Sequence, residues 1–83
     1  MKDQGIKVIF TFDDINLAIQ CRKEDKMRDI CKKFAKEKKR YINSLLFLYE
    51  GNQVNFDLSF IDQSNSLDRN NNEMKILVYE KKK

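Results

Sequence analysis

With 83 residues, 41% of them hydrophobic, the chain can build one small domain around a single core, so any function must use its surface. Proline is absent and Gly5 and Gly51 are the only two glycines, which excludes a disordered linker or a loop-built scaffold. The formal charge of +4 comes from Lys32 to Arg40 and from Lys81-Lys82-Lys83; this mild bias steers acidic partners but is weak ground for a nucleic-acid binder. There is no secretory signal and no apolar run long enough to cross a membrane, so the expectation is a monomeric intracellular protein, cytoplasmic or nuclear, without membrane contact.

Ile6, Val8, Phe10 and Phe12 share one face at period two and predict a first strand. Asp13-Asp14 is a short polar break without the Asn-Gly or Asp-Gly of the tightest turn. Leu17, Ile19 and Cys21 then alternate against Asn16, Ala18 and Gln20, which completes a hairpin. From Asp25, read as the N-cap, the period changes. Met27, Ile30, Cys31, Phe34 and Ala35 recur at helical spacing, and the helix is expected to run to about Lys39. Lys36, Lys38, Lys39 and Arg40 then sit near the negative end of its dipole, which accounts for part of the basic cluster without a ligand.

After a polar joint at Arg40 to Ser44 comes Leu45-Leu46-Phe47-Leu48-Tyr49, a strand apolar on both faces where alternation is the norm. Glu50 to Gln53 reads as a turn and Val54 to Phe56 as a short return strand. Leu58 to Ile61 is an irregular or single-turn segment, and Asp68 to Asn72 a polar loop. In the last strand Met74, Ile76 and Val78 alternate with Lys75, Leu77 and Tyr79. The ordered core of this single domain, 1–83, is expected at about 6–79, with ends 1–4 and 80–83 lacking apolar anchors and fraying.

Catalysis finds no support in these residues. Histidine is absent, Cys21 and Cys31 lie on apolar faces as reduced core thiols, and no phosphate-cradling glycine loop or metal-ligand cluster can be assembled. No catalytic, cofactor or metal residue is therefore assigned, and an enzyme is not expected.

The order strand, strand, helix, strand, short strand, strand resembles the β-grasp fold of the ubiquitin-like family, which includes ubiquitin and the small ubiquitin-like modifier. The resemblance spans Ile6 to Tyr79. Its most specific stretch is Phe47-Leu48-Tyr49-Glu50-Gly51-Asn52-Gln53-Val54, similar to the family's apolar strand, glycine turn and following apolar residue; the spacing of Cys21, Met27, Ile30 and Phe34 comes next. The implied fold is α+β, ββαββ, with a mixed sheet packed on one helix.

Placing Gly51 on the family's turn glycine sets the register. Leu45, Phe47 and Tyr49 then face the core, while Leu46 and Leu48 point outward together with Lys75, Leu77 and Tyr79 of the last strand. Leu48 and Leu77 match two apolar positions through which ubiquitin is read by its receptors. The resemblance thus implies a non-catalytic interaction domain, part of a larger protein, that recruits a protein partner through Leu46, Leu48, Lys75, Leu77 and Tyr79. Burying one such leucine contributes about 1.5–3 kcal/mol before ordering costs.

A second binding mode is an extended peptide added between the second strand and the helix, as in the small modifier, with Gln20, Arg22, Lys23 and Lys33 supplying polar edge and positive charge. Two other classes stand as alternatives. A free covalent modifier would need a C-terminal diglycine lying outside this sequence; here Glu80-Lys81-Lys82-Lys83 follows the last strand, and as the sequence stands conjugation is not expected. A basic nucleic-acid-binding module would use Lys32 to Arg40 and the terminal Lys81-Lys82-Lys83, but no aromatic platform is interleaved with the cluster, so nucleic acid is the disfavoured partner.

Overall fold

The structure, a computed structural model, describes residues 5–81. Of the ends expected to fray, 1–4 and 82–83 lie outside the described residues. Glu80 departs from that expectation: it belongs to the last strand and pairs with Leu45, and the Lys81 N–H donates to the Ser44 carbonyl at 2.9 Å.

The first two strands, β1 (Lys7–Phe12) and β2 (Ile15–Gln20), pair antiparallel with Phe12 opposite Ile15, so Asp13 and Asp14 alone make the turn. Their φ values of 55° and 63° are those of a type I′ turn, which favours Asn-Gly but accepts aspartate because a short polar side chain tolerates the left-handed region. A tight two-residue hairpin thus forms without its usual signal.

The helix α1 (Met27–Glu37) starts two residues after the expected cap. Asp25 does not cap it; its Oδ2 accepts from the Arg22 N–H at 3.0 Å and closes a turn instead. The exposed donors of the first helical turn are met by backbone: Met27 N–H donates to the Leu58 carbonyl at 2.8 Å and Arg28 N–H to the Phe56 carbonyl at 3.2 Å. A segment remote in sequence therefore does what a side chain does in an isolated helix.

The other end closes in a Schellman motif. Arg40 N–H reaches the Ala35 carbonyl at 2.9 Å and Lys39 N–H the Lys36 carbonyl at 3.1 Å, with Lys39 at φ 57°. Lysine has a Cβ where glycine is the norm, so Lys39→Gly is expected to stabilise the fold by up to about 1 kcal/mol. Denaturant unfolding checks this; a loss of stability would mean that the Lys39 side chain contributes more than its backbone costs.

A short 3₁₀ turn (Ile42–Ser44) leads into β3 (Leu45–Tyr49). Glu50 and Gly51, at φ 54° and 82°, form a second two-residue turn, so the return strand β4 is Asn52–Gln53 rather than Val54 to Phe56. Val54 N–H still bonds to the Phe47 carbonyl at 3.0 Å, and the chain then leaves the sheet to place the Phe56 and Leu58 carbonyls at the start of α1. One turn of helix, α2 (Phe60–Gln63), follows, as the single-turn reading of that region anticipated.

The expected polar loop is in fact a second short helix, α3 (Ser66–Asn71). Its signal is present in the sequence. Asn65 Oδ1 accepts from the Asp68 N–H at 2.7 Å, an N-cap with an acid three residues on, and Asn72 ends the helix at φ 58°. The strand β5 (Glu73–Glu80) then enters the middle of a five-stranded sheet of order β2-β1-β5-β3-β4, parallel to β1 and antiparallel to β3.

The core lies between this sheet and α1. Phe34 stacks on Phe10 at 4.6 Å between ring centroids and meets Phe12 and Phe47 edge-on at 6.0 and 6.1 Å. Val8, Met27, Ile30, Cys31, Phe60, Met74 and Ile76 fill the space around these rings, each buried. In β1, β3 and β5 the expected inward residues are all inward: Val8, Phe10 and Phe12; Leu45, Phe47 and Tyr49; Met74, Ile76 and Val78.

Candidate partner-binding face

Because side chains alternate along a strand, burial of Leu45, Phe47 and Tyr49 sends Leu46 and Leu48 to the other side of the sheet. The register brings them to the outward residues of β5: Leu48 lies opposite Leu77, and Leu46 opposite Tyr79. Leu77 and Tyr79 are 48% and 51% exposed, and Lys75 is exposed one step along the same face. Leu46 and Leu48 are half-buried rather than open to water. The reason for Leu48 is lateral: it has Leu77 on one side and Gln53 on the other.

Two residues of β1 join this face unannounced. Thr11 is paired with Leu77, and Ile9, half-buried, is paired with Lys75 on one side and the exposed Ala18 on the other. Alternation against Val8 and Phe10 already marked Ile9 as outward. What the sequence lacked was its neighbour, since only the parallel β1–β5 pairing sets Ile9 beside the β5 residues.

The four proposed groove residues do not converge on one place. Gln20 and Lys33 line a hollow between β2 and α1 together with Leu17, Ala18, Lys36 and Lys39. Arg22 and Lys23 line a different hollow, at the end of β2, with Ile6, Gln20 and Cys21. Gln20 is common to both. Arg22 and Lys23 lie in the connection from β2 to α1, beyond Gln20, the last residue of β2 paired in the ladder, so they lie past the strip where an added strand would run.

The basic cluster is also divided. Arg40 lies over the Phe12 ring at 5.4 Å and forms an ion pair with Glu80, so its guanidinium serves the sheet end rather than an open surface. Lys7 and Glu73 pair at 3.9 Å beside the parallel ladder.

Titration of the buried groups reflects burial. Desolvation pushes the Cys31 thiol up to about 12, and desolvation with the nearby Asp25 charge pushes Cys21 up to about 11. Both are unpaired thiols rather than thiolates near neutrality. Tyr49 is raised to about 12, first by burial and then by donating its hydroxyl to Asp68 Oδ2 at 2.6 Å. The Tyr49 hydroxyl oxygen in turn accepts from the Asn65 N–H at 3.0 Å, and Asn65 Nδ2 donates to Glu50 Oε2, so the β3–β4 turn, α3 and the core side of β3 are tied together.

Tyr49→Phe is expected to cost about 1–3 kcal/mol, since the Asn65 N–H and Asp68 lose a partner. A folded-state pKa raised from 10.0 to about 12 adds stability that is complete below pH 10 and disappears as pH climbs through that interval. Denaturation of both proteins across that range checks it: the variant lacks the phenol's part of the alkaline loss, and equal alkaline slopes would contradict the assignment.

No protein-family model matches the chain, and no curated protein sequence does. A solved structure does match: the ubiquitin-like domain of an Arabidopsis thaliana protein, determined by solution NMR, superposes with a TM-score of 0.76 at 12% identity, covering 98% of this chain and 82% of that one. The fold is ubiquitin-like. At that identity the likeness concerns the β-grasp architecture alone, and in it the ubiquitin-like sheet turns Leu46, Leu48, Lys75, Leu77 and Tyr79 away from its helix. Among the described residues, no group of three or more His, Cys, Asp or Glu is arranged to hold a metal ion, and no helix is long and apolar enough to cross a membrane.

Proposed function

We propose that the chain is a non-catalytic ubiquitin-like interaction domain that engages a protein partner through the outward face of β3 and β5. The observation that carries this reading is the pairing of Leu48 with Leu77 and of Leu46 with Tyr79, two adjacent apolar rungs of which the β5 members stay about half exposed. Contiguous apolar side chains on neighbouring strands gain more from a partner than scattered ones, because one partner surface desolvates them together. The area is small, which suits weak and reversible recognition without covalent chemistry.

A second reading rests on the edge of the sheet. Among the described residues β2 has a neighbour on one side only, and the hollow beside it combines Leu17 and Ala18 with Lys33, Lys36 and Lys39, which outnumber its one acid, Glu37. An extended peptide with apolar residues and acidic flanks would add there as a further strand. Chemical-shift mapping of the ¹⁵N-labelled chain, titrated with a ubiquitin-receptor domain and separately with such an acidic peptide, separates the two. The leading reading requires the receptor to shift Leu46, Leu48, Leu77 and Tyr79. Shifts confined to Ala18, Gln20 and Lys33 would transfer the function to the groove.

A further inference from the structure

The apolar face has charged surroundings that differ at its two ends. Along β5 the outward residues run Lys75, Leu77, Tyr79, a span of about 13 Å at strand rise. Lys75 stands at one end. At the other, β1 runs parallel to β5, so the chain turns at Asp13 and Asp14 beside the end of the patch. Asp13, Asp14 and Thr11 line one hollow with Leu77, Tyr79 and Glu80. The three carboxylates are not equivalent: Glu80 is paired with Arg40, whereas Asp13 and Asp14 are exposed and meet no cation among the described residues. The turn, whose two residues are both left-handed, places Asp13 and Asp14 in the lining of this hollow.

We infer that this face selects a protein segment that places an arginine or lysine next to its apolar anchor, the cation lying against Asp13 and Asp14 while the anchor covers Leu77 and Leu48. The inference rests on the apolar-face reading and adds to it the sign and the position of the partner's charge. Complementary rim charge sets orientation and excludes wrong partners more than it adds affinity. A guanidinium at the Tyr79 end gains two carboxylates, and one at the opposite end meets Lys75, with the Glu73 carboxylate beyond it already paired to Lys7. The patch therefore distinguishes the two directions in which a partner segment can lie. The acidic corner is also chemically opposite to the lysine-lined hollow beside β2, so the two surfaces call for partners of opposite charge.

The test uses two synthetic amphipathic peptides with the same leucine face, one carrying arginine at one end and the other glutamate at that position, each titrated into the ¹⁵N-labelled chain. The arginine peptide is expected to bind about tenfold more tightly and to shift Asp13, Asp14, Leu48, Leu77 and Tyr79. In the double variant Asp13→Asn, Asp14→Asn the preference is expected to collapse to within about twofold, because asparagine keeps the left-handed turn and removes both charges. An unchanged thermal midpoint, or a raised one, shows that the turn survives. Equal binding of the two peptides on this face overturns the charge inference and leaves the apolar reading in place. Absence of shifts on the face with either peptide overturns both, and a preference that persists in the double variant assigns the selectivity to other residues.

Discussion

Leu77→Ser is expected to weaken receptor binding about three- to twelvefold while lowering stability by about 1 kcal/mol or less. The two effects separate because the side chain is 48% exposed in the domain and would be covered only in a complex. Serine removes the apolar area without altering the charge pattern, so the change reads the contact with Leu48 and the partner alone. Full burial of a leucine is worth about 1.5–3 kcal/mol, and losing roughly half of that on binding corresponds to about three- to twelvefold in affinity. Leu48 is the less clean site: being half-buried between Leu77 and Gln53, it contributes to the folded domain as well, and a charged residue there would perturb both states. Calorimetric titration with a denaturation curve for the same variant decides the matter. Undiminished affinity for a receptor that binds the parent chain would remove the apolar face from the proposed function.

Phe34→Ala is expected to cost about 3–5 kcal/mol, a large part of the roughly 4–12 kcal/mol available to a domain of this size. Phe34 has no exposed surface and is the ring at which the helix meets three aromatic residues of the sheet, stacked on Phe10 and edge-on to Phe12 and Phe47. Truncation leaves a cavity among rings held in two different strands, and neither strand can move inward without breaking its ladder. Phe34→Leu keeps most of the volume and is expected to lose about 1–1.5 kcal/mol. Urea denaturation of the three proteins checks the order. A cost below about 1.5 kcal/mol for alanine would mean that the core collapses freely and that the aromatic cluster is not what holds the helix to the sheet.

What the sequence determined by itself was periodic. Alternation at Val8, Phe10 and Phe12 and at Met74, Ile76 and Val78, and the helical spacing of Met27, Ile30 and Phe34, each depend on residues a few positions apart, and the inward faces follow from them. The doubly apolar strand Leu45 to Tyr49 was likewise legible as two faces with two different neighbours. The tertiary structure decided whatever depended on a distant partner. Asp25 lost the N-cap to the carbonyls of Phe56 and Leu58, and that same requirement drew the chain off the sheet after Val54 and shortened the return strand. Leu48 became half-buried because Leu77 and Gln53 flank it, Ile9 joined the outward face because β1 and β5 are parallel, and Asp13-Asp14 came to the rim of the patch for the same reason. Local spacing can say which way a side chain points; only strand order and register say what it points at, because those neighbours are brought together across the whole length of the chain.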